Sequence, residues 1–385
     1  MLLEKLRLRN FRNYTSLDIE LFPGKNVLVG DNGQGKTNVI EAIHLCGTGK
    51  SYRTPRENEL IKWGESAFYT GSRFLRNNDS LLVEVAYSQE KGKRIRLDGV
   101  HQDSAMEYIG AVNIVIFGPD DLRIIKGGPG ERRRFLDLEI SSIYEGYRRD
   151  LAGYRRILSQ RNRFLKDGRH LMNSIQGKTA LDVWDKQLIP VGVRIMIKRA
   201  KIVEKLSSLA HAAYKEIAST GFLKLDYLPS FDVPLDATHR DKAAVIDEYS
   251  RIFQRELNRL KKAELLQGIT LIGPHRDNMV FSIDDVDIRT FGSQGQQRTA
   301  MLALRLGELD LIRNETGEDP ILLLDDVSSE LDPSKRAHLW KYIDGDIQTV
   351  ITATDQKILN EFPKSAKVFK VQSGSIKEVN GGSSG

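Results

Sequence analysis

The sequence predicts an α/β fold in which a helical insertion separates two β-containing halves. Strand-like alternation of apolar residues dominates residues 1–118 and returns after residue 267. Between these halves, apolar residues from Glu131 onward recur every three or four positions, which is the period of helices. A glycine-rich loop at residues 30–37 joins an apolar strand to a helix. We predict a first half at 1–118, an insertion at 119–266, a second half at 267–375 and a flexible tail at 376–385.

The first half is predicted to be rich in strands, with one prominent helix. Leu6, Leu8 and Phe11 indicate one strand, and residues 17–21 indicate a second. The run NVLVG at 26–30 predicts a buried strand that ends on glycine, and helical spacing follows at 38–46. Strand-like runs then return between 66 and 118.

The insertion is predicted to contain antiparallel helices. Its first helical segment has an apolar seam close to the 3.5-residue repeat of a coiled coil, formed by Leu136, Ile140, Ile143, Tyr147, Leu151, Tyr154, Leu158 and Leu165. Further helices are expected at 180–218, broken near Pro190, and at 240–266.

The second half is predicted to return to mixed structure. Strands around a turn are expected at 268–284, followed by a helix at 294–314. An apolar strand at 321–324, a helix at 333–343 and a last strand around 349–354 complete the pattern.

Composition favours a globular protein of a reducing compartment. The chain has 385 residues, of which 40% are hydrophobic and 29% charged. Its single cysteine, Cys46, excludes a disulfide within the chain. No apolar run approaches the roughly 18 residues that cross a bilayer, and the N-terminus lacks the apolar core of a signal peptide. We expect a cytoplasmic protein that does not associate with membranes.

The loop at residues 30–37 has the G-x-x-x-x-G-K-T pattern of a phosphate-binding loop. Glycines let backbone amides close around an anion, and the next helix adds its positive end. Lys36 can reach the β- and γ-phosphates, and the Thr37 hydroxyl can ligate Mg²⁺. A glycine turn before a surface helix is the alternative, which the flanking strand and helix disfavour. The predicted nucleotide-binding residues are Gly30, Asp31, Asn32, Gly33, Gln34, Gly35, Lys36 and Thr37.

A second motif, ILLLDDVSSELD, places two carboxylates at the end of an apolar strand. Asp325 is expected to hold the metal together with Thr37, and Asp326 to orient an attacking water. Lys36, Asp325 and Asp326 are therefore the predicted catalytic residues. A polar strand end leading into a turn is the alternative, which the phosphate loop in the same chain disfavours.

Three motifs together resemble the SMC-type branch of the ABC ATPases. The phosphate loop with Asn38 and Glu41-Ala42-Ile43 resembles the nucleotide motif of that family. The second motif resembles its metal-binding strand and D-loop, here Ser329, Glu330, Leu331 and Asp332. The stretch FGSQGQQR at 291–298 resembles the ABC signature, which precedes that strand by one helix and a turn.

This resemblance implies an ABC-type ATPase head interrupted by a helical arm. It implies ATP and Mg²⁺ as cofactors, and an ATP-dependent homodimer. In such a dimer the signature of one subunit reaches the γ-phosphate bound by the other, through Ser293, Gln294, Gly295 and Gln296. The helix that begins near Gln296 would point its positive end at that anion.

Further stretches resemble one group within this family, the recombination mediators of DNA repair. They are NFRNY at 10–14, GKSYRT at 49–54, FGPDDLRIIKGGPGERRRFLD at 117–137, SQRNRFLK at 159–166 and GPHRD at 273–277. The resemblance covers nearly the full chain. It implies ATP-dependent DNA binding at single-strand gaps, duplex junctions and stalled replication forks in the SOS response, and cooperation with the protein RecR.

Two positions depart from the general family pattern. Asp326 stands where a glutamate base is usual, and Thr354 stands where a switch histidine is usual. A Q-loop glutamine cannot be placed. We therefore predict a weak ATPase in which hydrolysis times a clamp. Two alternatives stay open: the ATPase subunit of an ABC transporter, which leaves the Arg-rich insertion unexplained, and a nucleotide-binding DNA scaffold without hydrolysis.

Positive charge is concentrated in the insertion. Residues 121–170 contain thirteen Lys or Arg and seven Asp or Glu, so this segment alone carries the +6 of the whole chain. Arginine matches the geometry of phosphate. A solvated helix face is the alternative, but we predict a DNA-contacting surface with little sequence preference. The candidate contacts are Arg132, Arg133, Arg148, Arg149, Arg155 and Arg156.

The GPHRD motif allows two interpretations. His275, Arg276 and Asp277 could form a catalytic triplet, or a tight β-turn with a buried Arg–Asp pair. We favour the turn, because a lone histidine is more often structural.

Overall fold

The computed structural model describes residues 1–76, 79–167, 175–218, 220–234, 241–326, 331–343, 345, 347–361 and 366–379. The chain forms two compact units. The first contains Met1–Leu122, Leu209–Gly221 and Ser293–Gly385, and the second contains Arg123–Ser208 and Phe222–Gly292. The second unit thus continues beyond the predicted end of the insertion at 266, and it leaves out residues 209–221. None of the described helices has the length and apolarity that a membrane span requires.

The strands are numbered in chain order. They are β1 (Leu2–Phe11), β2 (Tyr14–Glu20), β3 (Lys25–Val29), β4 (Ala67–Arg76), β5 (Asp79–Ser88), β6 (Gly92–Leu97), β7 (Val100–Gln102), β8 (Ile114–Phe117), β9 (Leu223–Leu228), β10 (Asn278–Ile283), β11 (Val286–Asp287), β12 (Ile321–Leu324), β13 (Thr349–Ala353), β14 (Ala366–Gln372) and β15 (Ser375–Val379). The last strand occupies residues that were expected in the tail, because Ser375–Val379 pair with β14.

The helices are numbered in the same way. They are α1 (Lys36–Thr48), α2 (Leu122–Lys126), α3 (Pro129–Ile143), α4 (Glu145–Asp167), α5 (Ile175–Ala218), α6 (Lys242–Gln267), α7 (Gln294–Thr316) and α8 (Pro333–Tyr342). Short 3-10 helices lie at Glu57–Leu60, Ala105–Glu107, Pro119–Asp121 and Gln356–Glu361.

The first unit is an α/β head built on two sheets. One is antiparallel with the order β2-β1-β4-β5-β6-β7, and the other has the order β15-β14-β3-β13-β12-β8. The second sheet is parallel except for β15. All five residues of β3 are buried, as expected for a strand between parallel neighbours with both faces covered. The two sheets and α1 share one apolar core, which includes Leu6, Phe11, Val39, Ile43 and Leu323.

The second unit is mainly helical. Its α3 and α4 bury most of the predicted seam, including Leu136, Ile140, Leu151 and Leu165. The helix is interrupted at Tyr144, where the backbone is extended, so the seam belongs to two consecutive helices. A three-stranded sheet with the order β11-β10-β9 completes this unit.

Two sequence predictions about this unit were wrong. Helix α5 is not broken at Pro190 but continues through it. Pro190 is exposed, so the carbonyl of Lys186 that loses its N–H partner can be hydrated, while buried Leu188, Ile189 and Val193 anchor the helix. Residues 268–277 form no strand, because Gly268 ends α6 and a turn follows. The strand β9 was not anticipated, although LKLDYL buries alternate residues.

Candidate nucleotide-binding site

The order of strands in the parallel sheet assembles the candidate site. Strand β13 lies between β3 and β12, and all three run in the same direction. Their carboxyl ends therefore meet at one edge of the sheet. The phosphate loop follows β3, Asp325 follows β12, and Thr352 lies near the end of β13.

The phosphate loop requires glycine at two positions. A Cβ atom on Gly30 would lie 2.3 Å from the carbonyl oxygen of Val371. Gly35 has φ 115°, and a Cβ there would lie 2.6 Å from Nδ2 of Asn13. Gly35 also caps the N-terminus of α1, which points its amides into the loop.

Lys36 lies back across this loop. Its Nζ donates to the carbonyl oxygens of Gly30 at 2.6 Å and Asp31 at 2.8 Å. Burial lowers the pKa of Lys36, and the carboxylates of Asp326, Asp325 and Asp31 oppose that effect. The ammonium therefore lies among acceptors that phosphate oxygens can replace.

The Asp325 carboxylate is bonded by three hydroxyl groups. Thr37 and Thr352 each donate to Oδ1 at 2.9 Å, and Tyr52 donates to Oδ2 at 3.0 Å. Burial raises the pKa of Asp325, while these three hydrogen bonds lower it. The neighbouring hydroxyl of Thr37 and carboxylate of Asp325 are hard oxygen ligands, so the residues present fit Mg²⁺ together with nucleotide phosphates.

Asp326 has a constrained backbone. Its φ is 54°, in the left-handed region, and its amide donates to Oγ1 of Thr352 at 2.8 Å. Thr352 therefore bridges Asp325 and Asp326. Thr354, which the family pattern places at the switch position, is exposed.

The β1–β2 hairpin tip, NFRNY, braces the loop from the other side. Asn13 donates to the carbonyl oxygen of Gln34 at 2.8 Å, and Tyr14 donates to that of Gly35 at 3.1 Å. Arg12 makes a bidentate contact to the fully buried Glu41 of α1, at 2.9 and 2.7 Å. These contacts give NFRNY a structural role that the sequence alone did not reveal.

Tyr52 and Thr352 are the residues of this site that sequence reasoning missed. Tyr52 lies in the GKSYRT stretch and Thr352 in the predicted strand around 349–354, but the sequence assigns a role to neither. The signal available for Tyr52 was a hydroxyl in the segment after α1, which is too common to identify a partner 273 residues away in the chain.

We expect Tyr52→Phe to destabilise the nucleotide-free protein by about 1–2 kcal/mol, because a buried carboxylate loses one of its donors. Urea unfolding without nucleotide measures this. Tyr87→Phe is the matched control, since Tyr87 is half-buried like Tyr52 and no described residue accepts a hydrogen bond from its hydroxyl. Equal stability of the two variants would show that the Tyr52 hydroxyl does not support Asp325.

The signature stretch forms the N-terminus of α7. The helix begins at Gln294, which is the predicted start of the helix at 294–314. Ser293 is its cap: the Ser293 hydroxyl accepts from the amide of Gln296, and the Ser293 amide donates to the side chain of Gln296. Both residues, with Gln294 and Gly295, are exposed. Of the D-loop, Ser329 and Glu330 lie outside the described residues, Leu331 is buried, and Asp332 caps α8.

One candidate DNA contact is contradicted by the structure. Arg132 is only 2% exposed, and it donates to Asn278 and to the carbonyl oxygens of Ile124, Ile125 and Gly127. These bonds give hydrogen-bond donors to backbone carbonyl oxygens at residues 124–127, so Arg132 is a structural residue.

The other five candidates differ in how free they are to meet DNA. Arg133 is half-buried and donates to the carbonyl oxygen of Asp277. Arg149 and Arg155 are exposed but pair with Glu145 and Asp137, at 3.8 and 3.1 Å. Arg148 is half-buried, and Arg156 is exposed.

The GPHRD motif forms the predicted turn, in which the amide of Arg276 donates to the carbonyl oxygen of Gly273 at 2.8 Å. The predicted Arg276–Asp277 pair is absent from the bonds that the described residues make. Asp277 is buried beside Arg199, at 3.8 Å, and accepts from Tyr227 and from the amide of Ser230. Arg199, which is distant in the sequence, therefore pairs with Asp277 in place of the adjacent Arg276.

His275 is held between a donor and an acceptor. Its Nδ1 accepts from the Tyr154 hydroxyl at 2.8 Å, and its Nε2 donates to the carbonyl oxygen of Thr270 at 3.1 Å. Burial lowers the pKa of His275 to about 4. The imidazole is thus neutral at pH 7 and packed within its unit.

We expect this histidine to make the protein acid-labile. The pKa of His275 is lower in the folded protein than in the unfolded chain, so the neutral imidazole favours folding above about pH 6.5. This contribution to stability is lost as the pH falls from about 6.5 to about 4. Between these two pH values, the free energy of unfolding of His275→Gln should change by roughly 1–3 kcal/mol less than that of wild type. Denaturant unfolding between pH 7.5 and 4.5 measures it, with exposed His101→Gln as the control. Identical pH profiles for wild type and His275→Gln would contradict the assignment.

Comparisons with known proteins agree with this geometry. The family model described as RecF/RecN/SMC N terminal domain matches residues 2–377. The DNA replication and repair protein RecF of Listeria monocytogenes is 40% identical over 384 residues, covering 98% of this chain and 100% of the relative. That of Halalkalibacterium halodurans is 40% identical over 381 residues, with the same coverage.

Solved structures show the same relationship. The structure of the recombination mediator protein RecF-ATP in the RecFOR pathway is 33% identical to this chain, covers 98% of each chain and superposes with a TM-score of 0.88. An Smc head bound to the C-winged helix domain of ScpA is 16% identical, with a TM-score of 0.56, and shares the fold. The fold is therefore that of an ABC-type ATPase head with an inserted helical unit.

Proposed function

This chain belongs to the RecF family of SMC-type ABC ATPases, and on that premise we propose that it is an ATP-dependent DNA-binding protein of recombinational repair. ATP binding would join two copies into a homodimer that holds DNA, and slow hydrolysis would release it. Single-strand gaps and stalled forks are the proposed sites of action, RecR the proposed partner and the cytoplasm the proposed location. The name of the solved relatives, which places them in the RecFOR pathway, supports this choice.

The observation that carries the proposal is the arrangement of Lys36, Thr37 and Asp325. A buried ammonium, a hydroxyl and a carboxylate meet at the carboxyl edge of the parallel sheet, below the N-terminus of α1. Bound MgATP supplies the phosphoryl group that is transferred to water. Lys36 would neutralise phosphate charge, Thr37 and Asp325 would hold the metal, and Tyr52 and Thr352 would keep the carboxylate oriented.

The surroundings of Gly295 support the proposed dimer. Among the described residues, a Cβ on Gly295 would meet only Oγ of Ser293, at 3.8 Å, so packing against them does not require glycine there. The exposed Ser293–Gln296 turn therefore presents amides and a hydroxyl to whatever approaches it. In the proposed dimer this is the γ-phosphate bound by the second copy.

The role of Asp326 separates slow hydrolysis from a scaffold that only binds nucleotide. We expect Asp326→Asn to bind ATP normally and to lengthen the lifetime of the ATP-bound dimer at least tenfold, because an amide cannot accept the proton of the attacking water. Dimer decay after dilution into ATP-free buffer, together with phosphate release, measures both quantities. Unchanged decay and turnover would favour the scaffold. Wild-type turnover far above about 1 per second would instead contradict the timer.

The transporter alternative is disfavoured by the extent of the similarity. The family match and the relatives span the helical unit as well as the head, which a transporter ATPase would not require. DNA contacts of the helical unit remain part of the proposal for Arg133, Arg148, Arg149, Arg155 and Arg156. Arg149, Arg155 and Arg156 are the exposed members of this set.

A further inference from the structure

Trp63 has an unusual environment for a tryptophan. It is 97% exposed, the highest value among the exposed large hydrophobic residues that the structure describes. Tryptophan in folded proteins is normally well buried, and its exposure is common where a partner is bound. Packing within the described part of the chain therefore does not account for this side chain.

The backbone that carries Trp63 is firmly held. The preceding Ile61 forms a bridge with Phe11, and the amide of Lys62 donates to the carbonyl oxygen of Asn10 at 2.8 Å. The carbonyl of Lys62 in turn accepts from the amide of Glu65 at 3.0 Å. The indole is thus presented to solvent from a fixed position, which reduces the entropy lost on binding.

Trp63 stands at an open groove of about 470 Å³ in the first unit. Three cations line it, Arg12, Arg53 and Lys62, against one anion, Glu59. Arg12 and Arg53 are both oriented by the buried carboxylate of Glu41, at 2.7 and 3.2 Å, and both are partly exposed. Lys62 is held by the hydroxyl of Thr15 at 2.8 Å. The groove thus combines fixed positive charge with an exposed aromatic face.

We propose that this groove binds single-stranded DNA, with Trp63 stacking on an unpaired base while Lys62 and Arg53 contact the flanking phosphates. Aromatic platforms beside cations are the recurrent way in which proteins hold single strands without reading sequence. This inference rests on the proposed DNA-binding function and deepens it, because it places a single-strand site on the head, apart from the arginines of the helical unit.

The groove also shares a wall with the phosphate loop. Asn13 and Asn38 line it, Asn38 donates to Oδ1 of Asn13 at 2.9 Å, and Asn13 donates to the loop carbonyl of Gln34 at 2.8 Å. A strand in the groove would therefore contact residues that brace the nucleotide site. The adenine of a bound nucleotide is the other source of an unpaired base, and the experiment must distinguish the two.

Intrinsic fluorescence offers a direct test, because the chain has three tryptophans. Trp340 is buried and Trp184 half-buried, so Trp63 is the one that can stack. Oligo(dT) should quench wild type and the matched control Trp184→Phe equally, and should quench Trp63→Phe far less. An abasic oligodeoxyribose phosphate, which offers phosphates without bases, should not quench wild type.

Affinity provides the second measurement. Trp63→Ala should weaken oligo(dT) binding about five- to one-hundredfold, and Trp63→Phe should restore most of it because phenylalanine also stacks. Lys62→Gln should make the plot of log affinity against log salt concentration less steep by about one unit, which corresponds to the loss of one phosphate contact. Since Trp63 is exposed, the two Trp63 variants should unfold at the wild-type denaturant concentration.

The contrary outcomes are distinct. Wild-type affinity in Trp63→Ala, or quenching by ATP alone that matches quenching by oligo(dT), would overturn the groove site and leave the proposed function standing. Loss of ATP-dependent dimers in Trp63→Ala with unchanged DNA affinity would assign the indole to a second copy and overturn it as well. A wild-type protein that binds no DNA would overturn both proposals.

Discussion

Lys36→Met should abolish the ATP-dependent dimer. The ammonium is the one cation that lies within the loop itself, among the carbonyl oxygens of Gly30 and Asp31, where phosphate oxygens would be received. Loss of a charge-assisted hydrogen bond of about 1.5–3 kcal/mol weakens ATP binding roughly ten- to a hundredfold. Equilibrium binding of ATP and sedimentation with ATP measure the two effects.

The matched control is Lys341→Met, which makes the same substitution at an exposed position near the end of α8. It should bind ATP and dimerise like wild type. Wild-type dimers in Lys36→Met would show that nucleotide held by this loop does not drive association.

Ser293→Arg should separate nucleotide binding from dimerisation. The phosphate loop of the variant is intact, so its affinity for ATP should be within about twofold of wild type. A long cation in the exposed signature turn would block the second copy, so the ATP-dependent dimer should be lost. Because Ser293 caps α7, the variant should also be less stable by about 1 kcal/mol.

Gly295→Trp keeps the cap and tests the same surface without that loss. The described part of the chain leaves space at Gly295, so the variant should fold with wild-type stability and still fail to dimerise. Dimers at wild-type levels in both variants would remove the signature turn from the interface.

Local patterns predicted the head well, because each motif there is contiguous. Residues 30–35 connect β3 to α1 as expected, and the apolar run at 321–324 is followed by Asp325. The bond between Thr37 and Asp325 agrees with the prediction that these two residues hold one metal ion. Neither motif includes β13, the strand that lies between β3 and β12 in the sheet. Thr352 contacts the Asp325 carboxylate and the Asp326 amide because β13 lies between β3 and β12, and strand order cannot be read from one sequence.

Contacts between residues that are distant in the sequence explain the remaining differences between the predictions and the structure. Arg132 stands in a basic run with Arg133 and Arg134, but it is enclosed by backbone carbonyls of a preceding segment. Asp277 pairs with Arg199, 78 positions away, rather than with adjacent Arg276. Pro190 did not break α5, because its helix is anchored by buried neighbours on another face. In each case the deciding contact is tertiary, and local residue type does not encode it.

A mixing experiment tests the shared nucleotide site most directly. Lys36→Met retains an intact signature, and Ser293→Arg retains an intact phosphate loop. Neither variant alone should dimerise with ATP, whereas an equal mixture should form heterodimers that contain one complete site, visible by sedimentation with ATP. A mixture that remains monomeric, or Ser293→Arg that dimerises alone as wild type does, would contradict a site completed by two copies of the chain.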